Sequence, residues 1–187
     1  MHRVKTVAAL RRHVRSWRAS GETVALVPTM GALHRGHEKL IERARRLGDR
    51  TVVSIFVNPT QFGEGEDFAA YPRTLPADLT VCRNHDVDLV FTPAPKTVYP
   101  DGFVTTVHVG SLGNQWEGAA RPGHFDGVAT VVLKLCNMVE PDLAVFGQKD
   151  YQQLLIVRQM VRDLNIPVRI VMAPTVRERC GLAVSSR

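Results

Sequence analysis

Short apolar runs rich in β-branched residues alternate along this chain with segments of helical period, and no other feature restricts the fold as much. The runs lie at 23–28 (TVALVP), 51–57 (TVVSIFV), 88–91, 143–147 and 168–172. Runs this short, without polar alternation, read as strands buried on both faces, the habit of parallel sheets. Between the first two, His37 to Leu47 puts Leu40, Ile41, Ala44 and Leu47 on one helical face and closes at Gly48-Asp49. Further helices are predicted over about Phe125 to Val139, burying Val128, Val131, Val132, Leu135 and Val139, and over about Tyr151 to Leu164, with Leu154, Val157, Val161 and Leu164 facing in. This order predicts an α/β fold: a doubly wound, Rossmann-like parallel sheet with ligands at the carboxyl ends of its strands.

The stretch Thr92 to Gly123 departs from the pattern. Pro93, Pro95, Pro100, Gly102, Gly110, Gly113 and Gly118 punctuate it, leaving one strand candidate, Val104 to Val109. Loops that cover a site are expected there. No internal repeat or linker divides the 187 residues, so they are read as one domain.

Composition narrows the class. No apolar run approaches the roughly 20 residues of a membrane-spanning helix, and Met1 to Lys5 lacks the apolar stretch of a secretory signal. The three cysteines, Cys82, Cys136 and Cys180, never pair as C-x-x-C, which argues against a disulfide framework or a cysteine-rich zinc site. A soluble, cytoplasmic chain with reduced thiols and no membrane association is the reading. The net charge of +6 suits nucleic acid or a phosphorylated small molecule. Arginines gather at Arg11, Arg12, Arg15 and Arg18 and at Arg43, Arg45 and Arg46, without interleaved aromatics to stack bases. These segments read as solvated helix faces, and no nucleic-acid partner is expected.

The first strand runs into Pro28-Thr29-Met30-Gly31-Ala32-Leu33-His34-Arg35-Gly36-His37. Two histidines three residues apart therefore sit where a strand turns into a helix, with Gly31 and Gly36 permitting close backbone approach. Unpaired N–H groups and partial positive charge at a helix start suit a phosphate, and two imidazoles can donate further hydrogen bonds to phosphoryl oxygens. A helix cap with incidental histidines, or a metal pair, are the other readings of these residues. Lys149 follows the run at 143–147, so a fixed cation at a strand end can reach a polyphosphate while Gly147 lets a nucleotide pack against backbone. Asp150 suits either a ribose contact or the cap of the next helix.

H-x-G-H after a first strand is the signature of the nucleotidyltransferase superfamily that includes the class I aminoacyl-tRNA synthetases. It is joined here by Phe56-Val57-Asn58-Pro59-Thr60-Gln61-Phe62, by Glu117-Gly118 with Arg121-Pro122-Gly123-His124-Phe125, by Phe146-Gly147-Gln148-Lys149-Asp150-Tyr151-Gln152-Gln153, and by Ser185-Ser186-Arg187. Together, in order and along essentially the whole chain, these closely resemble the pantothenate synthetase (pantoate:beta-alanine ligase) family.

The resemblance implies an ATP-dependent ligase: pantoate attacks ATP to give pantoyl adenylate and pyrophosphate, then beta-alanine displaces AMP. It implies catalytic roles for His34, His37, Lys149, Ser185, Ser186 and Arg187, the last three as counterpart of the synthetases' mobile KMSKS loop. It implies ATP contacts from Met30, Gly31, Ala32, Leu33, His34, Gly36 and His37, from Gly147, Gln148, Lys149 and Asp150, and from Val176, Val184, Ser185, Ser186 and Arg187. Gln61 is assigned to pantoate and beta-alanine, and Gln153 to pantoate, by the resemblance alone, with Pro28, Met30 and Phe62 as the apolar wall around pantoate; Met and Phe there equally suit a core. The family also implies Mg2+ with ATP, whose ligands the sequence does not specify, and a homodimer.

Two departures accompany the resemblance. Cys180 precedes Gly181 where the family typically carries Asp, which removes a carboxylate from that loop. The family normally continues into a smaller domain that closes over the site, so residues 1–187 are expected to be the nucleotide- and pantoate-binding domain, with that lid absent from this chain and turnover reduced. A nucleotidyltransferase of the same fold, and a module that binds ligands without turnover, are the competing readings.

Overall fold

The computed structural model describes residues 1–63, 65–66 and 68–186. In chain order the elements are β1 (His2–Val4), α1 (Val7–Ala19), β2 (Val24–Thr29), α2 (Arg35–Arg45), β3 (Arg50–Ile55), α3 (Leu75–Asn84), β4 (Leu89–Phe91), α4 (Pro95–Val98), α5 (Glu117–Ala120), α6 (His124–Val139), β5 (Leu143–Gly147), α7 (Tyr151–Asp163) and β6 (Arg169–Ala173). Single 3-10 turns lie at Pro59–Gln61, Gly110–Asn114 and Gln148–Asp150.

The strands form one parallel sheet in the order β1-β4-β3-β2-β5-β6. Alternate side chains of a strand go to opposite faces, and here both sets are apolar. Val24, Leu26, Val52, Leu89, Phe91, Ala144 and Phe146 join α1, α6 and α7 in one core. Ala25, Val27, Val53, Val90, Leu143 and Val145 join α2 and α3 in the other. A sheet covered on both faces is what the unbroken apolar runs require, and the predicted doubly wound α/β fold is the fold observed.

From β2 the chain winds through β3 and β4 toward one edge and later through β5 and β6 toward the other. The winding reverses between β2 and β5. Helices depart in opposite directions there, opening a crevice at the carboxyl ends of these two strands, where α/β sheets bind ligands.

Several predicted boundaries shift. α2 begins two residues before His37 because His34 caps it. Leu164, expected to face in, follows the last turn of α7 and is 50% exposed. Val104 to Val109, expected as a strand, is not one. The amide of Val107 donates to Thr130 Oγ1 (2.9 Å) and that of Val109 to Asp126 Oδ1 (3.0 Å), so side chains of α6 take the bonds a neighbouring strand would have received.

Candidate active site

A cavity of about 330 Å³ opens over the crevice between β2 and β5. One wall is the turn after β2. His34 caps α2, its Nδ1 accepting from the amide of Gly36 at 3.0 Å, and His37 Nδ1 accepts in return from the amide of His34 at 3.3 Å. A backbone amide only donates, so both Nδ1 atoms are unprotonated. Burial lowers the pKa of His37 to about 4, with the neighbouring His34 adding to it; burial also lowers that of His34, helped by Lys149. Both rings are therefore neutral near pH 7, and each carries its proton on Nε2. The capping geometry converts an ambiguous histidine pair into two hydrogen-bond donors of defined tautomer. Gly36 is needed for this: a Cβ there would lie 2.7 Å from Cε1 of His34.

The opposite wall is the turn after β5. Lys149 and Asp150 line the cavity, with Lys149 Nζ 3.0 Å from Asp150 Oδ1. Asp150 stands at the cap position of α7, yet its side chain makes no capping bond and holds the ammonium instead. Behind β6, Val176, Val184, Ser185 and Ser186 complete this side. Ser186 Oγ donates to the Ala32 carbonyl at 3.0 Å, and Arg35 pairs with Glu178 at 2.6 Å, so this segment rests on the H-x-G-H turn.

The floor holds Gln61, and Asn58 dictates its orientation. Asn58 Oδ1 accepts from Tyr99 Oη (2.8 Å) and Thr60 Oγ1 (3.0 Å), while its Nδ2 donates to the Gly127 carbonyl (3.1 Å). A carbonyl accepts only, which settles the amide's direction. The same Nδ2 then donates to Gln61 Oε1 at 3.1 Å, leaving Gln61 Nε2 against the weak acceptor Met30 Sδ at 3.2 Å. Pro28, Met30, Phe62 and Gln153 line the cavity around it.

Above Gln61 sits a charged lid. His124, 8% exposed, approaches the Gln61 carbonyl through Nδ1 at 2.7 Å, and Arg121 donates to the same carbonyl at 3.3 Å. Arg121 forks onto Glu66 through two bonds of 2.7 Å and reaches Glu117 at 2.9 Å. That guanidinium lowers the Glu66 pKa to about 2. Of the stretch from Thr92 to Gly123, expected as loops covering a site, Glu117 and Arg121 line the cavity, while the short helices α4 and α5 lie where only loops were expected.

The structure brings together His34, Gly36, His37, Lys149, Asp150, Gln61, Gln153, Pro28, Met30, Phe62, Val176, Val184, Ser185 and Ser186. Gly31, Ala32 and Leu33 lie behind the histidine turn, and Gly147 and Gln148 lead into Lys149, all outside the cavity lining. Arg187 lies outside the described residues. Sequence reasoning assigned no role to Asn58, Arg121 or His124, although all three stand in motifs that carry the resemblance. A buried asparagine between a strand and a Pro-initiated turn was the available signal.

Comparison with known proteins agrees along the chain. The family profile described as pantoate-beta-alanine ligase matches residues 2–187. Pantothenate synthetase of Aquifex aeolicus (strain VF5) is 57% identical over 183 residues, covering 98% of this chain and 65% of that protein. The crystal structure of pantothenate synthetase from Thermus thermophilus superposes with a TM-score of 0.95 at 56% identity, over 100% of this chain and 66% of that one. Pantoate-beta-alanine ligase from Francisella tularensis, complexed with beta-gamma ATP and beta-alanine, superposes with a TM-score of 0.91 at 40% identity, over 100% of this chain and 71% of that one. The chain spans about two thirds of the length of these relatives. By a profile match from residue 2 to its last residue, and by identity and backbone likeness across all of it, the chain belongs to the pantoate-beta-alanine ligase family.

Proposed function

We propose that the cavity between β2 and β5 joins pantoate to ATP as pantoyl adenylate, which beta-alanine then converts to pantothenate. The observation that carries this reading is the pair of neutral Nε2–H imidazoles on one wall, facing the ammonium of Lys149 on the other. In the first step a carboxylate oxygen of pantoate bonds to the α-phosphorus, and the bond from that phosphorus to the bridging oxygen breaks, releasing pyrophosphate. The carboxylate is already ionised at neutral pH, so no general base is required; catalysis falls to positioning and charge stabilisation. His34 and His37 donate to the phosphoryl oxygens where charge gathers, and Lys149 meets the polyphosphate. In the second step the amine nitrogen bonds to the acyl carbon, AMP leaves, and the nitrogen sheds its proton.

The acid fits the floor. Gln61 offers N–H donors to a carboxylate or hydroxyl, Gln153 stands beside it, and Pro28, Met30 and Phe62 supply apolar surface for a gem-dimethyl carbon. Ser185, Ser186, Val176 and Val184 close on the nucleotide, and Arg187 belongs with them by resemblance. Magnesium enters on the triphosphate as part of the substrate: it keeps phosphate and water ligands readily, and no group of three or more His, Cys, Asp or Glu among the described residues is arranged to hold an ion. The Francisella tularensis relative, with its beta-gamma ATP and beta-alanine, supports both ligand classes.

Residues 1–187 act in this reading as a nucleotide- and pantoate-binding domain, cytoplasmic and homodimeric. No helix among the described residues is long and apolar enough to cross a membrane. The dimer rests on the family resemblance, and Val104, 87% exposed, is one apolar side chain on the surface open to a second copy.

The test is pyrophosphate release from magnesium ATP. Release that requires pantoate, followed by AMP on adding beta-alanine, is expected. Release with a phosphorylated acceptor but not with pantoate would instead mark a nucleotidyltransferase, and binding without release a module that does not turn over.

A further inference from the structure

The turn that carries His34 is made of backbone that side chains disfavour, and one buried carboxylate holds it. Gly31 lies at φ +86° and Ala32 at φ +49°, two successive left-handed residues between the end of β2 and the cap of α2. Such a reversal aims successive N–H groups at one point. Asp78 occupies that point from α3, only 2% exposed. Its Oδ1 accepts from the amide of Leu33 at 2.8 Å and its Oδ2 from that of Ala32 at 3.3 Å. Thr74 Oγ1 donates to the same Oδ1 at 3.2 Å. A side chain on the facing residue would crowd this fit, since a Cβ at Gly31 would lie 3.0 Å from Asp78 Oδ2, at a φ that already disfavours one.

Asp78 does not line the cavity, so it acts on the site through the turn. Leu33 immediately precedes His34, whose amide must point at His37 Nδ1 for the reciprocal cap to form. The carbonyl of Ala32, on the residue whose amide Asp78 holds, receives Ser186. One carboxylate therefore anchors the histidine pair and the seat of the Ser185-Ser186 segment.

We propose that Asp78 is a positioning residue for the adenylation proposed above: by holding the amides of Ala32 and Leu33 it fixes the turn that presents both imidazoles as Nε2–H donors. What the donors do rests on the functional reading, but the claim about their tautomers does not.

The experiment compares the native chain with Asp78→Asn and Thr74→Val. The first keeps the shape of the side chain but turns one acceptor into an NH2 group; the second keeps the carboxylate and removes its hydroxyl partner. Nitrogen-15 spectra of the imidazoles, recorded without ligand, are expected to give the Nε2–H tautomer for His34 and His37 in the native chain. In Asp78→Asn, His37 should become a mixture of tautomers, and kcat for pantoate-dependent pyrophosphate release should fall on the order of 100-fold, the scale of a small misplacement, with KM for pantoate little changed. Thr74→Val should move both readouts the same way but less, and it carries the test if Asp78→Asn does not fold. Native imidazole spectra and native kcat in either folded variant would overturn the proposal. Absence of pyrophosphate release from the native chain would count against the functional reading and leave the spectra to decide the role of Asp78.

Discussion

Asn58 Nδ2 donates to Gln61 Oε1 at 3.1 Å, and that bond decides which end of the glutamine amide faces the cavity. With its oxygen engaged and its nitrogen opposed only by the Met30 sulfur, Gln61 is a donor toward whatever enters. Gln61→Ala and Gln153→Ala should weaken pantoate by about 1 to 3 kcal/mol for each lost partner while sparing ATP. Gln61→Glu should be worse than Gln61→Ala, because it sets a second carboxylate against that of the ligand. Calorimetric titration of each ligand checks this; equal loss of ATP affinity in the alanine variants would place these amides elsewhere.

Gly127 supports the same floor from behind. It lies in α6, where Gly→Ala ordinarily stabilises by roughly 1 kcal/mol. Here a Cβ would lie 2.2 Å from the Thr60 carbonyl oxygen and 2.9 Å from the Gln61 amide nitrogen, both backbone atoms. Overpacking of this kind costs about 1 to 3 kcal/mol, so Gly127→Ala should lower the melting temperature and weaken pantoate together. A melting temperature at or above that of the native chain would contradict the packing argument.

Lys149 is held by Asp150 and stands within electrostatic reach of His34. Lys149→Ala removes a charge-assisted bond to the polyphosphate, about 1.5 to 3 kcal/mol, so ATP affinity should fall while pantoate affinity holds. If only pantoate weakened, the wall assigned to the nucleotide would be the wrong one.

The buried imidazole of His37 makes stability depend on pH. Its folded pKa, about 4, lies below the unfolded value of 6.5, so between them the unfolded chain binds more protons and stability falls as pH drops. Complete passage through that window costs about 3 kcal/mol, at 1.36 kcal/mol per pH unit. The shift at His34 has the same sign. The depressed carboxylate of Glu66 loses its contribution only as pH falls from 4.5 toward 2. Urea midpoints at pH 5 and 7 should therefore differ in the native chain and differ less in His37→Gln, where His34 and His124, both also lowered by burial, keep a remainder of the same sign. An unchanged difference in that variant would assign the effect to other groups.

Much of this could be read from the residues. β2, β3 and β5 are buried on both faces, so their apolar runs are unbroken and their order dictates the crevice beside His34 and Lys149. β1 escaped notice because it is a three-residue edge strand whose first two side chains are exposed. α3 was hidden by its own function: it buries Asp78 and Cys82, and a buried acid breaks the apolar stripe that marks a helix. Val104 to Val109 misled in the opposite sense, with β-branched residues whose amides are bound by side chains. At the site, the strand-end position of Lys149 and the spacing of the histidines carried a mechanism. The glutamines were assigned by resemblance alone, and Asp78 had no signature because its partners are chiefly backbone amides.

In the proposed reaction His34 and His37 act as neutral donors in a step that consumes ATP and pantoate together. The measurement is exchange of labelled pyrophosphate into ATP at pH 7, with and without pantoate, in the native chain, His34→Ala and His37→Ala. Exchange is expected to require pantoate and to fall by roughly two to three orders of magnitude in each variant, the usual loss on removing one preorganised donor, with pantoate binding retained. Exchange without pantoate, or exchange undiminished in both variants, would contradict it.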